Sequence, residues 1–526
     1  MGEKGIPARR GLLTALLAAF AVCMAAPAAT AVDASWNLAA GEAAGVSPAG
    51  LGKIETVVVI YAENRSFDHY WGTYPGADGL TGLAPEAYRQ TDRDGTPLPK
   101  LPKIWDGIAK GAPDTLPDGL ANAPFDLGDP SGFNLPPSTA TRDLVHRFYQ
   151  NQMQINGGRN RRFAAWSDAG GLVMGHYDGS KLPLWPYAQK YVLADNFFQG
   201  AFGGSFLNHI WLVCACTPRF PDADKNAPDE ISAVEADGVT LTLKGPAGSA
   251  MDGKPAFARD KALTPDFYAV NTIQPPYQPS GAPPAADKPE YADPSAHGVL
   301  PPLTEQTIGD LLSAAKVSWA WYAGAWQDAL DNHAHVYNKS VPNFQPHHAP
   351  LNYFAAYAPG TPARAEHLKD GGMDGAAFVA DIDAGKLPQV SFYKPQGNLN
   401  AHPGYTDALS GERHIADLLA HLEKSPQWKG MLVIVTYDEN GGLWDHAAPP
   451  KGGRWGPGSR VPALIVSPFA RAGFVDHAPY DTTSILRFIT RRFDLPALPG
   501  LGARDAALKE NGLRAPGDLT GALKLD

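Results

Sequence analysis

Five short apolar runs punctuate the chain: IETVVVI (54–60), VSWAWYA (317–323), PQVSFY (388–393), MLVIVTY (431–437) and VPALIVS (461–467). None alternates cleanly between apolar and polar positions, which suits strands covered on both faces, as in parallel sheets. Helical spacing fills the intervals. It is seen over 304–316 with Ile308, Leu311 and Leu312, over 410–424 with Ile415, Leu418, Leu419 and Leu422, and over 481–493. Strand and helix alternate, so the pattern predicts an α/β fold with a central, mostly parallel sheet sandwiched by helices. Two stretches, about 81–140 and 218–303, are rich in Pro, Gly, Ala and Asp and carry little periodicity. They are expected to be long insertions or lids on a single domain spanning 32–526.

The segment after each run is where a doubly wound sheet places its chemistry. After 54–60 come Glu63, Asn64, Ser66, Asp68 and His69; after 388–393 comes KPQGNLNAHPGY with His402. Asp438, Glu439, Asp445 and His446 follow 431–437, and His477 follows 461–467, so four strands are expected to release acids or histidines at one edge. Adjacent carboxylates such as Asp438 and Glu439 repel each other at a buried strand end unless a cation lies between them. With Glu63 and Asn64 they form an oxygen-rich set that favours a hard divalent ion, Ca²⁺, Mg²⁺ or Mn²⁺, over a thiolate-bound metal. Ser205, in FGGSFLNH, is flanked by glycines that allow a tight turn. It lacks the G-x-S-x-G elbow, but a serine beside a divalent cation needs no neighbouring base, because the metal lowers the hydroxyl pKa.

Composition narrows the partners. The formal charge is −10, and an acidic chain repels nucleic acid at long range. Residues 1–31 read as a signal peptide: Lys4, Arg9 and Arg10 open it, an apolar stretch follows, and Ala29-Thr30-Ala31 offers a cleavage site. The expected location is periplasmic or secreted, adjacent Arg9 and Arg10 point to the twin-arginine route, and no integral membrane segment is expected in the mature chain. Outside that segment only Cys214 and Cys216 remain. With one residue between them a bridge is strained, so two thiols are expected.

ENRSFDHYWGTYPG, GGSFLNH and VTYDENGGLWDHAAPP, in that order, resemble the bacterial phosphoesterase family of secreted acid phosphatases and non-specific phospholipases C, distant relatives of the alkaline phosphatases. The resemblance runs from about 54 to 495 and implies an alkaline-phosphatase-like catalytic domain that transfers phosphoryl groups through a serine or threonine. It implies metal ligands at Glu63, Asn64, Asp438 and Glu439. Ser205 would be the nucleophile facing the metal, and His176 and His402 would be phosphate-contacting catalytic residues. Asn64 and the pair His347-His348 would also meet substrate. Two departures stand out: Asn440 replaces a histidine after the acidic pair, and Thr482 replaces one in YDTTS.

Within the family it resembles, a serine at the nucleophile position and an end of the chain about thirty residues after the last motif imply the phosphomonoesterase branch over the phospholipase one. The expectation is therefore an acid phosphatase working through a phosphoserine, with small phosphate esters as substrates and an acidic optimum. The rivals are a phospholipase C that takes phospholipid head groups, with the aromatic HYWGTY loop lining a wide apolar pocket, and a non-catalytic phosphate or metal binder. His146, His297, His367, His414 and His421 are given no role, and His69, His209, His446 and His477 are expected to orient other groups. A histidine zinc site at 333–348 is disfavoured by its spacing. CACTPR misses the sulfatase pattern by one position.

Overall fold

A computed structural model describes residues 1–2, 34–37, 47–109, 119–338 and 341–525. The predicted signal peptide lies almost wholly outside the described residues. Eight strands form one sheet: β1 (Thr56–Ala62), β2 (Val192–Ala194), β3 (Trp319–Gly324), β4 (Leu368–Gly372), β5 (Val390–Lys394), β6 (Met431–Tyr437), β7 (Ala463–Val466) and β8 (Phe474–Asp476). Their order is β8-β2-β7-β6-β1-β5-β3-β4. All five apolar runs became strands, and β1, β3, β5 and β6 are parallel neighbours buried along their length. That burial explains their unbroken apolar character.

The sheet is mixed because β7 runs antiparallel to both β6 and β2. Its carboxyl end therefore faces the opposite edge from those of β1 and β6. The chain then returns through β8, parallel to β2 and so to β1 and β6, and His477 leaves it at the common edge as expected, where it pairs with Asp195 at the end of β2, with Nδ1 2.8 Å from Oδ2. Strand direction leaves no trace in the periodicity of a short buried run, so the sequence could not exclude the parallel alternative.

Helices cover both faces. The main ones are α1 (Phe148–Ile155), α2 (Ser205–Cys214), α3 (Ile308–Ala314), α4 (Ala376–Asp383), α5 (Ala408–Leu422) and α6 (Thr483–Arg492). Tyr61 of β1 donates its hydroxyl to the Asn208 carbonyl on α2 at 3.3 Å, whereas Tyr437 of β6, paired across the ladder with Ala62, reaches Glu412 on α5 at 3.4 Å. Neighbouring positions on a strand point to opposite faces, so α2 and α5 lie on opposite sides of the sheet. The 218–303 stretch holds only short helical turns and one hairpin. The HYWGTY loop is interior: Tyr70 and Trp71 are buried, and Trp71 stacks on Trp185 with ring centres 5.4 Å apart.

Cys214 and Cys216 are joined by a disulfide, which corrects the expectation of two thiols. Ala215 caps α2 in the left-handed conformation (φ 50, ψ 38), and this reversal brings the two Cα atoms to 5.2 Å, within the ordinary range for a bridge.

Candidate active site

Glu63 and Asn64 continue from β1, Asp438 and Glu439 continue from β6, and Lys394 ends β5. Because these strands are adjacent and parallel, their carboxyl ends bring all five side chains to one edge. All five are buried. Asn64 takes the left-handed conformation at φ 58, which asparagine tolerates better than most residues. Its N–H thereby donates to Asp438 Oδ1 at 3.1 Å, an oxygen that also accepts the Glu439 N–H at 2.8 Å. Gly441 completes the turn at φ 62; a Cβ there would lie 2.7 Å from the Asn64 carbonyl oxygen.

Ser205 is the first residue of α2, where free N–H groups and the helix dipole favour negative charge. Its Oγ lies 3.3 Å from Asn64 Oδ1 and 3.4 Å from Glu439 Oε1. One turn later, His209 holds the Ser205 carbonyl through Nδ1 at 2.7 Å and stacks on His348 with ring centres 5.2 Å apart. His348 Nε2 lies 2.6 Å from Glu63 Oε1, and His402 Nε2 lies 3.8 Å from Glu63 Oε2.

Ser205 opens into a cavity of about 370 Å³ whose walls include Glu63, His146, His347, His348 and His402. Tyr337, Gln345 and Tyr405 add to it, Arg147 stands beside His146, and Asn271 and Thr272 reach it from the 218–303 stretch. None of the residues around it is aliphatic. A roomier cavity of about 790 Å³ within that stretch, walled partly by Tyr277, Tyr291 and Leu300, has none of the strand-end side chains.

Burial works against ionising Glu63, but His348 and Lys394 beside it hold its carboxyl well below the usual range. Asp438 and Glu439 are pushed well above it, chiefly by burial and further by repulsion from Glu63. Burial lowers His347 and His402, and takes His348 down to about 4. Glu63 Oε2 and Asp438 Oδ2 are buried oxygens without a hydrogen-bond partner. Oxygens left unsatisfied in a crowd of buried carboxylates fit a hard divalent cation. Glu63, Asn64, Asp438, Glu439 and Ser205 would hold it.

The structure thus brings together Glu63, Asn64, Ser205, His347, His348, His402, Asp438 and Glu439. His176 lies elsewhere. It ends a two-residue strand, Gly175–His176, paired with Phe125–Asp126 near buried His69, and it is absent from the cavity wall. The place beside Ser205 expected for it is taken by His146, whose Nε2 lies 3.3 Å from Asn64 Nδ2 and 3.6 Å from Glu439 Oε1. His446, grouped with Asp68, Asp445 and Arg460, belongs to a separate buried ion network: Asp68 Oδ2 lies 2.8 Å from His446 Nδ1, and Arg460 lies 3.0 Å from both Asp68 and Asp445.

A serine hydroxyl at a helix N-terminus, set against carboxylates and histidines at the carboxyl edge of a sheet, is the equipment of a hydrolase acting on phosphoric esters. The model of the Phosphoesterase family matches residues 54–496, and the chain belongs to that family. Phospholipase C B of Mycobacterium tuberculosis is 26% identical over 535 residues, covering 92% of this chain and 82% of that protein. The non-hemolytic phospholipase C of Pseudomonas aeruginosa is 23% identical over 477 residues, covering 84% of this chain and 54% of that one. Among solved structures, a protein of the alkaline phosphatase superfamily from Vibrio parahaemolyticus aligns with a TM-score of 0.31 at 10% identity, covering 64% of this chain and 63% of that one.

Proposed function

We propose that the chain is an exported acid phosphatase that hydrolyses phosphomonoesters through a phosphoserine at Ser205. The observation that carries this reading is the cavity at Ser205: about 370 Å³, with a polar and aromatic wall. That volume holds a phosphoryl group and a short leaving group, and no aliphatic surface waits for an acyl chain. The aromatic loop that would have lined a lipid pocket is packed in the interior.

In this reading the Ser205 hydroxyl gives up its proton to solvent in the cavity, its oxygen attacks phosphorus, the Oγ–P bond forms, and the P–O bond to the leaving group breaks. Asn64 and Glu439 aim the hydroxyl, and the N-terminus of α2 faces the charge that develops on the phosphoryl oxygens. A protonated imidazole of His348 or His402 steadies those oxygens or gives a proton to the departing alkoxide; burial lowers both rings, so this form is reached only in acid. Water then cleaves the Oγ–P bond, returning Ser205 and releasing phosphate. A divalent ion bound among the carboxylates would lower the hydroxyl pKa and neutralise phosphoryl charge.

A second reading, phospholipase C, is favoured by the names of the M. tuberculosis and P. aeruginosa relatives. Tyr337 and Tyr405 on the cavity wall would then face a cationic head group. The test compares turnover of a phosphomonoester and a phosphocholine diester from pH 4 to 9. Monoester turnover that peaks in acid supports the first reading; preference for the diester, or a profile still rising above pH 8, rejects it.

A further inference from the structure

Three carboxylates, those of Glu63, Asp438 and Glu439, meet at the site with no exposure to solvent. Charges removed from water have to be matched nearby. Among the described residues, Lys394 is the lysine or arginine that pairs with any of the three: its Nζ lies 2.5 Å from Glu63 Oε1. The ammonium is sealed in, with a side chain 1% exposed, and sits 5.5 Å from the centre of the Tyr61 ring.

The oxygen it holds is shared. Glu63 Oε1 also faces His348 Nε2 at 2.6 Å and His209 Nε2 at 4.0 Å. Ligand atoms of Glu63, His209 and His348 lie within 4.8 Å of one another, close enough for one carboxylate and two imidazoles to share a metal ion. His209 Nε2 is buried there without a hydrogen-bond partner. The other carboxylate oxygen, Glu63 Oε2, is buried without a hydrogen-bond partner, has His402 Nε2 near it at 3.8 Å, and can join Asn64, Asp438 and Glu439.

We propose that the Lys394 ammonium is the resident cation of the Glu63–His209–His348 cluster, so that the chain takes one divalent ion where its side chains have room for two. Glu63 is divided between them, Oε1 to the lysine and Oε2 to the metal. One ammonium and one divalent ion balance three carboxylates. Lys394 is a positioning residue: it fixes the charge count and the rotamer of Glu63, and acts on substrate only through them. The inference rests on the metal-dependent reading above, and metal counting separates its failure from the failure of that reading.

The experiment strips the purified protein with chelator, dialyses it against Mn²⁺, and measures metal per folded chain by mass spectrometry. Parent, Lys394→Met and Lys394→Arg are compared. The expected result is one ion in the parent and in Lys394→Arg, and two in Lys394→Met, whose electron paramagnetic resonance spectrum shows coupled Mn²⁺ ions. Folded Lys394→Met that still holds a single ion overturns the proposal and leaves the one-metal reading standing. A parent that binds two ions overturns the proposal whether or not the variant folds, and a parent that binds none overturns both.

Discussion

The hydroxyl of Ser205 lies 3.3 Å from the side-chain oxygen of Asn64, a residue 141 positions earlier in the chain. The contact joins the N-terminus of α2 to the end of β1. It makes the serine part of the same oxygen cluster as the carboxylates.

Replacing Ser205 with alanine removes the proposed attacking atom and little packing. The expected loss in kcat/KM for a phosphomonoester is at least about 10³-fold, with thermal unfolding moved only slightly. Parent-like turnover in Ser205→Ala would assign the nucleophile elsewhere.

Metal removal should affect stability as well as activity. On the metal-dependent reading, a chelator would take a counterion from Glu63, Asp438 and Glu439 while they remain buried. Mn²⁺, Ca²⁺ or Mg²⁺ at about 1,000 times its dissociation constant adds roughly 4 kcal/mol, read as a higher Tm in differential scanning calorimetry. A Tm insensitive to all three ions would argue against a hard metal at this site.

Glu412 on α5 is fully buried, accepts the Leu184 N–H at 3.1 Å, and has its carboxyl raised to about 8 by burial. The folded protein keeps this proton where the unfolded chain, near pH 4.5, has released it. Its contribution to stability is complete below the unfolded value and is lost as pH rises through about 8. Glu412→Gln should unfold near the parent at pH 4 and be more stable by a few kcal/mol at pH 9. Urea titrations at the two pH values decide it, and equal differences at both would reject the buried-acid account.

The Cys214–Cys216 bond closes a very short loop, and short loops remove little entropy from the unfolded chain, at most about 2 kcal/mol here. Intact-mass measurement should show two fewer hydrogens before reduction than after it. The Cys214→Ala/Cys216→Ala variant should keep most of its Tm. A fall in stability well beyond that figure would give the bridge a larger role.

The centre of this fold was legible because β1, β3, β5 and β6 are buried on both faces and left apolar runs of strand length. The outer strands were not: Val192–Ala194 and Phe474–Asp476 have three residues each, and Leu368–Gly372 reads as a polar turn. The meeting of Glu63, Asn64, Asp438 and Glu439 at one edge was legible because polar residues directly follow two of these apolar runs. Lys394 sits at such an end too, but a lysine leaving a strand looks like a solvated boundary, and only the fold turns it inward to Glu63. His146 precedes α1 in a loop with no periodic signal, so its approach to Glu439 is purely tertiary. His176 shows the reverse, a histidine in a suggestive motif held on a separate two-strand pair.

β1 lies between β5 and β6, strands that leave a ribosome more than 300 residues after it. Until they arrive, the first sheet strand has neither of its neighbours, and Glu63 has neither its lysine nor its fellow carboxylates. No chain terminated or cut before Glu439 possesses the complete oxygen cluster. The oxygen cluster is therefore completed late in synthesis, and a chain must be extended past Glu439 before it can have one.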